Sequence, residues 1–591
     1  MTASTFKTIE KPAIDKFDVT PNLDRDNVRE FDWQDLYSEL DWLPGGGLNK
    51  AHEAIDRHAN GPKRDKIALI WEGKNGERED YTFGQMKEET DKFANVLKSL
   101  GIETGDRVFL FMDRLPELYF AFFGILKAGA IAGPLFSAFG PDPVKDRMID
   151  SGAKVLVTQP DLRRKIAGII PELFDLQHII IVNKDGRDPA PIDTQDLDYY
   201  AEMGKAPSEF SIVNTSQYDY SIMHYTSGTT GKPKGAVHRH QAAVQQYATG
   251  KWALDLHEDD IYWCTADPGW VTGTSYGMMA PWTNGVTQLI YEGGFRASAW
   301  YEQIQKHKVT VWYTAPTAIR MLMKAGDEVP KRYDLSSLRY INSVGEPLNP
   351  EVIEQVRRAW GVTIRDGFGQ TETTCQIGNS PGQPIIAGSM GRPLPGFRVA
   401  LVDADDHPVS EGEIALPLDS SPLGLMAGYA NAPEATAEAM RNGYYHTSDV
   451  AIRRDDGYYV YVGRVDDVFK CSDYRLSPFE LESVLIEHIA IAEAAVVPSP
   501  DPVRLAVPKA YITLGQGHEA GPELAHSVFQ FLRGKLAPYK RIRRLEFAEL
   551  PKTISGKIRR VELRKREMVR SSDQERFEAE FWEEDFPDLH R

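Results

Sequence analysis

At 591 residues the chain exceeds what one hydrophobic core normally supports, so at least two domains are expected. Its 42% hydrophobic and 26% charged residues are ordinary for a globular enzyme. A formal net charge of −18 argues against nucleic acid or an anionic membrane being bound through a basic face.

The opening stretch "MTASTFKTIEKPAIDKFD" is charged and lacks an apolar core, so it does not read as a secretory signal. Short β-branched runs then alternate with longer helical patterns: "RVFLFM" before "LPELYFAFFGILKAG", "AKVLVTQP" before "LRRKIAGII", "VTVWYTAP" before "TAIRMLMKAG". Strand, helix, strand at this spacing predicts α/β architecture with mostly parallel sheets. The most apolar stretch, "LYFAFFGILKAGAIAGPLF" at 118–136, is broken by Lys127, Gly129, Gly133 and Pro134. It predicts a buried helix ending near Ala128–Gly129 and then a short strand, not a membrane span. Cys264, Cys375 and Cys471 show no CxxC spacing, which argues for a reducing, cytoplasmic setting without a disulfide framework or structural zinc.

After about residue 395, "FRVALVDADDHPVSEGEIAL" and "GYYVYVGRVDD" read as short strands with Asp/Gly turns, a β-rich subdomain. "GRVDDVFK" is the expected boundary, dividing a large domain, 1–465, from a small α+β domain, 466–591. The charged tail "SSDQERFEAEFWEEDFPDLHR" is expected to lie loosely on the surface.

Between "YSIM" and "QAAVQQYA" stands "YTSGTTGKPKGAVH", Tyr225 to His238. Glycines and hydroxyl residues let backbone N–H groups approach a ligand, and lysines add charge, a combination suited to phosphate. It is not a Walker A loop, because Thr226 stands where that pattern needs glycine and Pro233 where it needs Ser or Thr. Taken alone, such a loop is also simply a turn.

"YTSGTTGKPKG" resembles the phosphate-loop signature of the adenylate-forming superfamily of acyl-CoA synthetases, nonribosomal adenylation domains and luciferases. "VGEP" (344–347), "DGFGQTET" (366–373), "YYHTSDVAIRRDDGYYVYVGRVDD" (444–467) and "LPKTISGKIRR" (550–560) follow in that family's order. "CTADPGWVTGTSYG" and "YTAPTAIRMLMKAGDE" are similar to the acetyl-CoA synthetase branch. The resemblance implies a carboxylate–CoA ligase: a carboxylate attacks ATP to give acyl-adenylate and pyrophosphate, and the thiol of coenzyme A then displaces AMP. Substrates would be ATP, CoA and a small carboxylic acid, with Mg²⁺. A homo-oligomer, and a carrier protein in trans as the acceptor, are left open.

The resemblance also implies roles. Thr226, Ser227, Gly228, Thr229, Thr230, Gly231 and Lys232 would wrap the β- and γ-phosphates. Glu372 would hold Mg²⁺, a hard cation that prefers carboxylate oxygen, with Thr371 touching the α-phosphate. Gly345, Glu346 and Pro347 would line the adenine, with Asp366 near its amino group and Gly367, Phe368, Gly369 and Gln370 completing the nucleotide site. Asp449 would accept from the ribose hydroxyls, with Arg464 close by. Lys557 would supply the cation where charge develops during adenylation. Asp466 would be the hinge about which the small domain turns between half-reactions, and Arg475 would meet phosphate in the second. On residue type alone, Glu372 reads equally as a solvated glutamate and Asp466 as a turn cap.

Trp270, Val271, Thr272, Val344 and Gly369 are expected around the acyl group. Acetate-specific relatives carry tryptophan where this chain has Gly369, so the resemblance implies room for an acid larger than acetate. Met278, Met279 or Trp282 collapsing into the space is the competing reading. The chain departs from the family at Asp473 and Ser448, where glycine is usual, and at Leu505 and Ala506. Asp473 bears on the thiol channel, which is why acyl transfer to an acceptor other than CoA is kept as an alternative; an acetyl-CoA synthetase proper is the other.

Overall fold

The computed structural model describes residues 7–24, 31, 33–186, 193, 195–226, 233–326, 328–471, 474–501, 504–553, 556–569, 576–577 and 579–590. The fold is mixed α/β. One sheet runs in the order Gly428–Tyr429, Lys234–Arg239, Tyr220–Thr226, Ile131–Leu135, Arg107–Phe111, Val155–Thr158, His178–Ile181, Leu197–Asp198, with its inner strands parallel. A second has a parallel centre of Ile67–Glu72, Thr287–Tyr291, Ile261–Cys264, Val311–Thr314, Tyr340–Ser343 and Ile364–Gln370. It then turns antiparallel through Thr374–Gly378 and Ser389–Pro393 into Tyr459–Arg464, Tyr444–Arg453, Glu411–Pro417 and Ala400–Val402. That antiparallel half is the β-rich part read from the Asp/Gly turns.

The apolar stretch folds as its composition dictates. Pro116 opens the helix Pro116–Lys127, every residue of which is buried. Gly129 (φ +72°) ends it in the left-handed conformation, and Ile131–Leu135 follows as a strand. Lys127 breaks nothing: its ammonium is fully buried, 2.6 Å from both Asp56 and Asp91. "LRRKIAGII" does not continue as one helix; it ends at Lys165 and gives way to a 3₁₀ segment, Ala167–Glu172, that contains Pro171. Among the described residues no helix is long and apolar enough to cross a membrane.

Beyond residue 480, Leu481, Leu485, Val496, Ile512, Val528, Phe529 and Leu545 form their own core under the sheet Ile491–Asp501, Leu505–Leu514, Arg544–Phe547, Glu580–Trp582. The last strand corrects the expectation for the tail. Glu580–Trp582 pairs antiparallel with Arg544–Phe547. Buried carboxylates hold it: Glu580 lies 3.2 Å from Lys509, and Glu583 pairs with Arg533 at 2.6 Å and with Arg543. Glu580 and Glu583 are therefore internal charges, partnered by cations of the domain, while Glu584, Asp585 and Asp588 face outward.

Candidate active site

The candidate residues gather at the carboxyl ends of the parallel strands Val311–Thr314, Tyr340–Ser343 and Ile364–Gln370, where α/β sheets present ligands. Val344, Gly345, Glu346 and Pro347 follow Ser343. Gly345 has φ +92°, which side chains rarely adopt, and open space stands where a Cβ would be, so its backbone can approach a ligand. The Glu346 carboxylate accepts from the Thr317 hydroxyl at 2.6 Å and from Arg320 at 2.8 Å.

Along Ile364–Gln370 the side chains alternate. Phe368 is buried in the β-rich core with Ile377, Met390, Leu401 and Ile414. Asp366 is also buried; its carboxylate accepts from the Gly367 N–H at 3.0 Å, and burial pushes its pKa well up. Gln370 spans two strands, with its amide donating to the Thr447 carbonyl (2.8 Å) and to Asp449 while its oxygen accepts from Tyr445.

Asp449 is thus enclosed. It accepts from Gln370 and from the Tyr461 hydroxyl at 3.1 Å, and Arg464 lies 3.6 Å away. Burial raises its carboxyl, and Arg464, Tyr461, Gln370 and the charge of Lys557 pull it back. Ser448, where the family has glycine, adopts φ +58°, a conformation that favours glycine.

Glu372 is half-buried. Its carboxylate accepts from the Tyr429 hydroxyl at 2.8 Å, and its carbonyl accepts from the Met426 N–H at 2.7 Å. The Thr371 carbonyl accepts from His238 at 2.8 Å. Thr226 ends its strand opposite Lys234, whose ammonium lies 5.1 Å from the Tyr429 ring centre. Ser227, Gly228, Thr229, Thr230, Gly231 and Lys232, like Asp473, lie outside the described residues. Tyr429, Tyr445 and Tyr461, which anchor three candidate side chains, were not singled out from the sequence; Tyr445 and Tyr461 sat inside a quoted motif, Tyr429 in none.

Lys557 is exposed on a turn closed by Thr553, which donates its N–H to the Lys557 carbonyl at 2.7 Å. Gly556 (φ +88°) leads into it, and a Cβ there would be 3.5 Å from the Thr317 side chain. Asn349 also donates to Ser483 at 2.9 Å. The structure therefore brings the Lys557 turn to the face that carries Glu346 and Asp449. Asp466 is exposed in the turn after Tyr459–Arg464; its carbonyl accepts from Arg564 at 2.9 Å, and Asp467 pairs with the same arginine. Arg475 falls in the strand Tyr474–Leu476, opposite Lys470.

Trp270 packs on Phe136 and Phe139, with ring centres 5.7 and 6.0 Å away. Val271 and Thr272 begin the short helix Val271–Thr274, whose Thr274 hydroxyl meets His224 at 2.6 Å. At Gly369 the Cβ direction points at the backbone of the neighbouring strand. A Cβ built there would lie 2.6 Å from the Thr374 carbonyl carbon and 2.9 Å from Cys375 Cα, because a β-bulge at Phe368/Gly369 brings the neighbouring strand in. Met278, Met279 and Trp282 are not what that Cβ meets; they belong to the core around Tyr119 and Phe123. A cavity beside Tyr276, Tyr313, Asp366 and Cys375 measures about 20 Å³, space for one water.

The family described as AMP-binding enzyme matches residues 55–430, and its C-terminal domain matches 480–557. The acetyl-coenzyme A synthetase of Bacillus subtilis (strain 168) is 46% identical over 542 residues, covering 90% of this chain and 93% of that protein. That of Methanothrix thermoacetophila is 37% identical, covering 90% and 84%. Among solved structures, a Brucella canis acyl-CoA synthetase matches with TM-score 0.73 at 36% identity over 92% of this chain and 99% of its own. An anthranilate CoA ligase in complex with anthranoyl-AMP matches with TM-score 0.81 at 30% identity, over 91% and 99%. On sequence and fold together, the chain belongs to the AMP-binding enzyme family, as an AMP-forming acyl-CoA synthetase.

Proposed function

We propose that this ligase activates a short carboxylic acid, with acetate first in rank. The observation that carries the reading is the Thr374 backbone beside Gly369, which removes the space that a missing side chain there would open. The names of the B. subtilis and M. thermoacetophila relatives support it. A larger acid is the second reading. It is favoured by the absence of any side chain at Gly369 and by the solved anthranilate ligase.

The acid's carboxylate attacks the α-phosphate of ATP and pyrophosphate leaves. Lys557 neutralises the charge that grows on the phosphate and carboxylate oxygens. Asp449, aligned by Gln370 and Tyr461, accepts from the ribose hydroxyls, and Arg464 sits beside it. Gly345, Glu346 and Pro347 line the base. Glu372 suits Mg²⁺: it is a half-buried carboxylate oriented by a hydroxyl, an all-oxygen donor set. When bound, the ion supplies positive charge to the phosphates. In the second step the CoA sulfur attacks the acyl carbon and AMP departs.

The Lys557 turn lying against the face of Thr317 and Asp449 fits the first step. The second step then needs residues 466–591 to turn about Asp466 away from 1–465. The three cysteines, all buried and unpaired, fit a reducing cytoplasm.

The test is pyrophosphate release from ATP and Mg²⁺ across carboxylates of two to ten carbons and aromatic acids, followed by CoA-dependent AMP release. Two- and three-carbon acids should lead. Pyrophosphate release with no acid would end the reading, and AMP release only with a carrier protein would move the acceptor.

A further inference from the structure

Gln245 lies on the helix Ala242–Trp252, is fully buried, and plays no part in the roles above. Its amide nitrogen donates to the Thr373 carbonyl at 2.9 Å, the Thr374 hydroxyl at 2.6 Å and the Cys375 carbonyl at 3.3 Å. Its amide oxygen accepts from the Gly424 N–H at 2.6 Å. A Cβ on Gly424 would come within 2.7 Å of that amide and push it aside, so glycine there leaves room for the Gln245 contact. One side chain therefore clamps three consecutive residues of the turn after Glu372 to the loop that leads to Met426, itself bonded to the Glu372 carbonyl.

The clamped turn is strained. Thr374 has φ +57°, unfavourable for a β-branched residue, and such strain persists only where surrounding contacts over-determine it. Tyr276 adds to the hold: its hydroxyl accepts from the Cys375 N–H at 3.0 Å and meets the Thr249 hydroxyl at 3.0 Å. The strained carbonyl of Thr374 is the group that fills the space beside Gly369.

We infer that Gln245, with Tyr276 in support, sets the length of acid this enzyme accepts. Backbone rather than a bulky side chain walls the acyl site at residue 369, and Gln245 holds that backbone in place. It is a positioning residue and touches no substrate. The inference rests on the reading under Proposed function that Gly369 borders the acyl group. Without the clamp Thr374 relaxes from φ > 0, its carbonyl withdraws, and room for further methylenes opens.

The experiment compares kcat/KM for two-, four- and six-carbon acids in the parent, Gln245→Met and Tyr276→Phe, with KM for ATP and melting temperature measured alongside. Gln245→Met keeps the volume and removes every polar contact. The four-carbon over two-carbon ratio should rise about ten-fold, within the range one or two methylenes are worth in a pocket, while KM for ATP holds. Tyr276→Phe should shift the ratio the same way by less, and it decides the matter if Gln245→Met does not fold. An unchanged ratio in folded protein, or equal loss for every acid, would overturn the inference. A parent enzyme that releases no pyrophosphate with any acid would instead sink the functional reading, so the two failures are told apart.

Discussion

The Tyr429 hydroxyl donates to the Glu372 carboxylate at 2.8 Å, and the ammonium of Lys234 lies 5.1 Å from the centre of the same ring. Tyr429 thereby links the base of the Gly/Thr/Lys loop to the carboxylate proposed to hold Mg²⁺. Tyr429→Phe keeps the ring and loses the bond. Hydrogen bonds to charged groups contribute about 1.5–3 kcal/mol, so kcat/KM should fall at least roughly ten-fold and the Mg²⁺ needed for half-maximal rate should rise. An unchanged Mg²⁺ titration would show that the tyrosine does not orient Glu372.

Lys557 acts on Asp449 from across the chain. Lys557→Ala should abolish acid-dependent pyrophosphate release, a loss of about 10²-fold or more for a charge placed at the reacting oxygens. Thioester formation from supplied acyl-adenylate should survive. Equal loss of both half-reactions would remove the lysine from its proposed role.

At residue 369 the strand geometry predicts destabilisation. Gly369→Ala already places its Cβ against the Thr374 carbonyl. Overpacking of this kind costs about 1–3 kcal/mol, and Gly369→Trp should cost more. Thermal denaturation checks this, and a tryptophan variant as stable as the parent would mean that the 374–378 strand moves aside freely.

Lys50 is fully buried, and its amine lies among His224, His238 and His240. Burial pushes it down to about 7 from an ordinary 10.5. Between those values the unfolded chain holds a proton that the folded chain has released, so stability rises with pH across that window. Lys50→Met should stabilise the protein on the order of 4 kcal/mol near neutral pH, with the gain fading toward pH 10.5. Melting curves from pH 6 to 10 test it. A variant that melts lower at pH 7 would mean that the ammonium has a partner in solution.

The tail is part of the small domain. Glu583→Ala strips Arg533 and Arg543 of a shared carboxylate that is only 2% exposed. Removing one member of a buried pair costs about 3–5 kcal/mol, so calorimetry should show residues 480–590 melting earlier than the rest. A single unchanged transition would show the contact to be superficial.

Much of this was legible in the residues. Strand–helix alternation follows from local hydrophobic period, and "YTSGTTGKPKG", "VGEP", "QTET" and "ISGK" are contiguous strings whose order survives without coordinates. That was enough for the α/β fold, the ligase class and the candidate groups Glu372, Asp449 and Lys557. The tail's strand was missed because its glutamates look solvent-bound until Lys509, Arg533 and Arg543 are found beneath them. The backbone beside Gly369 was out of reach for a related reason: a missing side chain says nothing about which main chain stands next to it. Local preference and motif order are properties of neighbours in sequence, and the chain alone determined them. The tyrosines behind Glu372 and Asp449, the grip of Gln245 on Thr374 and the approach of Lys557 join residues from 12 to 129 positions apart. Only the packed sheets, which set such distances, decided them.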